Sequence, residues 1–100
     1  MSSVSSSVKI NGKCLCGSVV LKATVDSLDG GVCHCSMCRT WGGGPYFGLD
    51  CGKDVRVMGE QSVTVYASSE WAERGFCARC GTHLFYRLRT GQYHLPMGIL

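Results

Sequence analysis

The sequence predicts a small, mainly β domain whose turns are stapled by metal-binding cysteines, and three observations carry that prediction. Short runs of β-branched and aromatic residues alternate with polar ones along much of the chain. No segment has the length and 3.6-residue periodicity of a long amphipathic helix. Cysteine accounts for 8 of the 100 residues, and all but Cys51 fall in tight clusters. A composition of 45% hydrophobic and 17% charged residues belongs to one globular domain, neither disordered nor membrane-spanning.

Taken in chain order, Met1 to Ser7 is Ser-rich and is expected to fray. Residues 1–12 then read as a flexible N-terminal segment that enters the first strand, and residues 13–100 as the zinc domain itself. From Ser18 to Asp26, Val19, Leu21, Ala23 and Val25 alternate with Val20, Lys22, Thr24 and Asp26, the period of a half-buried strand. A turn at Asp29-Gly30-Gly31 is expected to end it. Further strand-like runs follow at Tyr46 to Leu49, Val55 to Met58, Ser62 to Ala67, Thr82 to Leu88 and Gln92 to Met97, divided by Gly, Asp and Ser. Ser36 to Thr40 and Ser69 to Arg74 have room for single helical turns. About seven short strands result. Because Tyr93 to Leu100 is still apolar and strand-like where the chain stops, the expectation is that a C-terminal portion is absent which would cover an open sheet edge.

Compartment and charge narrow the function classes. The first twelve residues, MSSVSSSVKING, have neither the basic nor the apolar region of a secretory signal. The apolar stretches fall far short of the roughly 20 residues a membrane helix needs. A reducing, cytoplasmic setting follows, where closely spaced cysteines serve as metal ligands more often than as disulfides; bridges between clusters are the reading for an exported protein. The formal charge of +3 invites a nucleic-acid partner, but the ten Lys and Arg residues are scattered with no run and no basic helix face. Seven thiolates around two Zn²⁺ ions would together remove about three positive charges, leaving the folded chain near neutral.

The cysteine spacing is the strongest signal. Cys14-x-Cys16-Gly17 and Cys77-x-x-Cys80-Gly81 each place two thiolates in a tight turn followed by a glycine that lets the backbone turn back toward the sulfurs. Together Cys14, Cys16, Cys77 and Cys80 make a closed Cys₄ zinc site of the structural kind, tying the beginning of the chain to its end. Cys33, Cys35 and Cys38 supply three ligands in six residues with no closing glycine. Three ligands leave a fourth position for water or substrate, as catalytic zinc sites do. Alternatively Cys51 completes this second site as a fourth thiolate and makes it structural. His34, between two ligands, reads as facing solvent or supporting them. His83 and His94 read as packed or hydrogen-bonded strand residues. Trp41, Tyr46 and Phe47 flank Gly42-Gly43-Gly44-Pro45, either a turn ringed by core aromatics or a backbone that admits a ligand beside the open metal. There is no Ser-His-Asp arrangement and no phosphate-cradling loop with a Lys.

The order Cys-x-Cys-Gly, Cys-His-Cys-Ser-x-Cys-Arg, Gly-Gly-Pro, Ser-Ser-Glu-Trp and Phe-Cys-x-x-Cys-Gly-Thr resembles the glutathione-dependent formaldehyde-activating enzymes, also described as centromere-protein-V-like proteins, from about Lys13 to Leu100. The resemblance implies a Mss4-like fold, often described as a β-tent. It matches Cys14, Cys16, Cys77 and Cys80 to a structural zinc, and Cys33, Cys35 and Cys38 to a catalytic zinc, two Zn²⁺ per chain. The implied activity is carbon–sulfur lyase chemistry, the reversible condensation of formaldehyde with the glutathione thiol to S-hydroxymethylglutathione, or of a related thiol and aldehyde. Glutathione carries two carboxylates, and Arg39 beside Cys38 is the first candidate to bind one. Two other readings stand beside this one. A zinc-stabilised, non-catalytic interaction module would be expected to show clustered Lys and Arg, which are absent here. A redox protein using Cys77-x-x-Cys80 would need a reactive thiol outside any metal site.

Overall fold

The period-two alternation becomes two antiparallel sheets. The structure, a computed structural model, describes residues 7–28 and 30–100. In chain order the elements are β1 (Val8–Lys13), β2 (Val20–Val25), β3 (Gly30–Cys33), α1 (Ser36–Gly42), β4 (Tyr46–Gly52), β5 (Val55–Met58), β6 (Val63–Tyr66), β7 (Ala72–Cys77), β8 (His83–Leu88) and β9 (Tyr93–Pro96), with 3₁₀ turns at Glu60–Ser62 and Met97–Ile99. One sheet has the order β1-β2-β5 and the other β3-β4-β9-β8-β7-β6. The domain is mainly β, as the sequence predicts.

The core lies between the sheets. Val19, Leu21, Ala23 and Val25 point one way from β2 and its approach, and they meet Leu49 and Cys51 of β4, Cys77 of β7, Leu84 and Phe85 of β8 and Leu95 of β9. The alternating residues Val20, Lys22 and Thr24 stay at least partly exposed, so the hydrophobic pattern fixes which face of β2 is buried. Burying such aliphatic side chains contributes about 1.5–3 kcal/mol each.

Three expectations are corrected. Nine strands form among the described residues where about seven were expected. Gly30 and Gly31 do not end a strand but form β3, paired with Leu49 and Gly48 of β4; Asp29, like Met1 to Ser6 of the segment expected to fray, lies outside the described residues. Ser69 to Arg74 is no helical turn: a Ser69 N–H bond to the Ala72 carbonyl, 3.3 Å, turns the chain into β7. The C-terminal strand β9 lies inside its sheet, between β4 and β8. Beyond it, a Cβ built on Gly12 of β1 would stand 2.8 Å from the Ile99 carbonyl oxygen, so the final turn rests directly on β1.

Strand β7 owes its existence to its neighbours. Its sequence, Ala-Glu-Arg-Gly-Phe-Cys, has little intrinsic strand character. Across the pairing with β8, however, Glu73 stands opposite Arg87, Arg74 opposite Tyr86 and Gly75 opposite Phe85. Glu73 and Arg87 form an ion pair, Arg74 stacks on Tyr86 at 4.8 Å, and the buried Phe85 ring occupies the space over Gly75. A Cβ at Gly75 would come within 2.4 Å of that ring. Gly75→Ala is therefore expected to lower stability by about 1–3 kcal/mol, read as a lower urea midpoint with an unchanged metal content.

Candidate metal centres

The two connections that follow β1 and β7 converge. The Sγ atoms of Cys14, Cys16, Cys77 and Cys80 all lie within 4.8 Å of one another, with Cys14 to Cys16 at 3.6 Å and Cys16 to Cys77 at 3.7 Å. Sulfurs at the corners of a tetrahedron with metal–sulfur bonds of about 2.3 Å are about 3.8 Å apart, so the spacing fits a metal. It is far from the roughly 2.05 Å of a disulfide, and all eight cysteines are free. Cys14 and Cys77 are 1% and 0% exposed, and four sulfurs held at this spacing could bind a soft divalent cation.

Local backbone explains why the sequence folds this way. The Gly17 N–H donates to the Cys14 carbonyl at 3.1 Å and the Gly81 N–H to the Cys77 carbonyl at 2.7 Å. Both glycines are left-handed, at φ +80° and +81°, while a Cβ at either position would meet nothing within 4 Å. Glycine is needed for the backbone conformation rather than for room around the sulfurs.

A hydroxyl two residues past each second cysteine completes the turns, a role that the sequence reading did not assign to Ser18 or Thr82. Ser18 Oγ lies 3.2 Å from Cys16 Sγ. Thr82 Oγ1 accepts from the Leu15 N–H at 3.1 Å and lies 3.1 Å from Cys80 Sγ, so it links the two halves of the site. Hydrogen bonding from the Thr82 side chain, with its backbone, draws the Cys80 thiol down to about 5, which favours the ionised form that ligates metal. Burial pushes Cys77 the other way. Thr82→Val is expected to cost about 1–2 kcal/mol and to speed chelator-driven metal loss from this centre. Metal release followed with a chromogenic chelator beside urea denaturation checks both.

The second cluster is built differently. Cys33 ends β3, Cys35 caps α1, and Cys38 lies on the buried face of α1; the three sulfurs again lie within 4.8 Å of one another. Cys35 Sγ accepts the Cys38 N–H at 3.3 Å. That backbone bond, then the neighbouring thiols, draws Cys35 down to about 7. Helix α1 is held by Trp41, which stacks on His83 at 4.8 Å and meets Phe76 edge-on at 5.8 Å. It closes at Gly43, whose N–H reaches the Arg39 carbonyl at 2.8 Å. The glycine-rich stretch thus ends a helix.

Cys33, Cys35 and Cys38 form one wall of a cleft of about 510 Å³, lined also by Gly31, Tyr46, Trp71, Arg74, Tyr86 and His94. The four-cysteine centre does not open onto it. The Tyr46 hydroxyl donates to the His94 carbonyl at 2.9 Å, and burial holds its phenol far above the ordinary range. Cys51 belongs to neither cluster: it is 3% exposed, burial raises its thiol to about 11, and its Sγ faces the Leu49 carbonyl. The second cluster therefore offers three cysteine sulfurs that could hold a metal ion.

The placement of the cations differs from the sequence expectation. Arg39 lies on the exposed side of α1 and does not line the cleft. Arg74 does, with its Nη2 donating to Cys38 Sγ at 3.5 Å and its Nε to Ser68 Oγ at 3.3 Å. Burial raises the Cys38 thiol, and the Arg74 hydrogen bond is the main opposing effect. Nothing in the sequence singles out Arg74 among ten basic residues; its position opposite Tyr86 depends on the β7–β8 register. His94 lines the cleft, His83 supports Trp41, and His34 is exposed. Among the described residues no helix is long and apolar enough to cross a membrane.

Comparison with known proteins follows the same lines. Residues 9–100 match the family model for the glutathione-dependent formaldehyde-activating enzyme. An uncharacterized lyase of Schizosaccharomyces pombe is 38% identical over 81 residues, which cover 81% of this chain and 59% of that protein. This chain therefore spans well under two thirds of that relative's length. A crystal structure of a Rhodobacter sphaeroides protein superposes with a TM-score of 0.77 at 28% identity, covering 91% of this chain and 87% of the other.

Proposed function

The chain belongs to the glutathione-dependent formaldehyde-activating enzyme family, and from that premise we propose that it is a zinc-dependent carbon–sulfur lyase that joins a thiol, glutathione, to formaldehyde or a related aldehyde. The observation that carries this reading is the contrast between the clusters: four cysteines in a closed, half-buried knot, and three cysteines on the wall of a cleft. Closed four-sulfur sites are structural, whereas three-ligand sites with access to substrate are where chemistry occurs.

Cys14, Cys16, Cys77 and Cys80 would hold the structural zinc, and Cys33, Cys35 and Cys38 the second. There the ion would supply a positive charge that keeps a substrate sulfur as thiolate near neutral pH. In the forward direction the thiol loses its proton, the sulfur lone pair forms the new bond to the carbonyl carbon, and the carbonyl pair moves to oxygen, which takes up a proton. The reverse direction breaks the same carbon–sulfur bond. Tyr46, Tyr86 and Trp71 give the cleft apolar walls, and His94 lines it as the imidazole able to carry the proton between sulfur and oxygen.

The direct test follows S-hydroxymethylglutathione formation from formaldehyde and glutathione by NMR exchange. Acceleration above the spontaneous reaction supports the reading, and a doubly metallated chain that leaves the rate unchanged refutes it. The cleft also predicts a steric block. A Cβ at Gly31 would meet nothing within 4 Å, so Gly31→Val projects a branched group into open space beside the cysteines at a strand position that tolerates it. Its expected effect is a KM raised about tenfold with both metals retained, checked by steady-state kinetics and metal analysis.

A further inference from the structure

Arg74 is an arginine buried without an anion. It is 2% exposed, and among the described residues no carboxylate reaches its guanidinium; the ion pair there is Arg87 with Glu73. Nε is satisfied by Ser68 and Nη2 lies on Cys38 Sγ, but Nη1 is buried with no partner. The guanidinium plane stacks 4.8 Å from the Tyr86 ring, which fixes its direction on the cleft side of β7. A buried, unpaired cation is costly enough that its counter-charge must lie nearby. The nearest source is the three-cysteine cluster, because three thiolates around a divalent ion carry one net negative charge.

We propose that Arg74 is the positioning residue that lets the second metal centre take an anionic sulfur as its fourth ligand, by offsetting the one net negative charge that Cys33, Cys35 and Cys38 would carry around a divalent ion and by steadying Cys38 through an N–H···S bond. Without that cation, a fourth thiolate would have to join a centre that is already negative. This role rests on the metal-binding part of the function proposed above and not on turnover.

The test uses the Co²⁺-substituted protein, whose sulfur-to-metal absorption reports thiolate binding at the open centre, with the closed centre as an internal control of folding. Glutathione and the uncharged thiol 2-mercaptoethanol are titrated separately. Arg74→Gln is expected to weaken both about tenfold or more, with two Co²⁺ retained per chain, and Arg74→Lys to restore binding to within about threefold. Unchanged binding of both thiols in the Gln variant overturns the proposal. So does a loss confined to glutathione, which would mean that Arg74 binds its carboxylate. Loss of the second Co²⁺ with the closed-site spectrum intact also overturns it, because Arg74 would then hold the metal and not the fourth ligand. If Arg74→Gln does not fold, Arg74→Lys decides: a tenfold loss in that charge-preserving variant contradicts the proposal. Thiol binding that depends on Arg74 in a chain without lyase turnover would refute the proposed activity and leave this role standing.

Discussion

Cys77→Ser is expected to abolish the folded state. Cys77 is 0% exposed and sits in the core beside Leu84 and Leu21, and its carbonyl and N–H both anchor the turn that carries Cys80 and Thr82. Removing its thiolate opens the centre that joins the β1–β2 connection to the β7–β8 connection. Metal binding by four such ligands contributes about 10–16 kcal/mol, against a net stability of about 5–15 kcal/mol for a domain. The loss of most of that contribution exceeds what the apolar core of a 100-residue chain can replace. A cooperative unfolding transition in the wild type and none in Cys77→Ser, by circular dichroism, is the expected result. A strong chelator acting on the wild type should reproduce it.

The second large effect separates activity from stability. Cys35→Ser is expected to keep the fold, lose one of two metals and reduce turnover to the spontaneous rate of the formaldehyde–thiol reaction. Serine is a favoured N-cap, so the bond from the Cys38 N–H that now ends on Cys35 Sγ is preserved at the start of α1. The helix itself is also held by the contacts of Trp41 with His83 and Phe76. Compared with wild type whose second centre is also empty, a stability change within about 1 kcal/mol is therefore expected. Cys38→Ser is the less clean variant, because Cys38 Sγ is the hydrogen-bond partner of a buried arginine and its loss disturbs Arg74 as well. Stability by urea titration, metal content and NMR turnover, measured on one Cys35→Ser preparation, check all three parts.

What was legible in the sequence is what local spacing determines. The alternation at Val19, Leu21, Ala23 and Val25 gave the buried face of β2, and the cysteine spacings gave both clusters with the residues the structure brings together. Glycine after each second cysteine was legible too, although the reason is a left-handed backbone and not crowding at Cβ. Features that depend on register were not legible. Strand β7 reads as a helical turn because Glu73, Arg74 and Gly75 are poor strand formers whose partners, Arg87, Tyr86 and Phe85, lie on another strand. Strand β3 is hidden by its two glycines, which leave room for the cleft. Arg39 attracts notice through its sequence contact with Cys38, whereas Arg74 reaches the same sulfur from 36 residues away. Cys51 illustrates the converse: an isolated cysteine open to a ligand role in the sequence is a packed core residue in the fold.

The central claim is one closed and one open metal centre in a single chain, and the measurement that tests it most directly is the zinc content of the reduced, purified protein together with its rapidly titratable thiols. Seven cysteines are assigned to metal, and Cys51 is buried with its thiol raised to about 11. Two zinc ions per chain, and no fast-reacting thiol until a chelator or denaturant is added, are the expected result. One zinc ion, with Cys33, Cys35 and Cys38 alkylated at once, would contradict it.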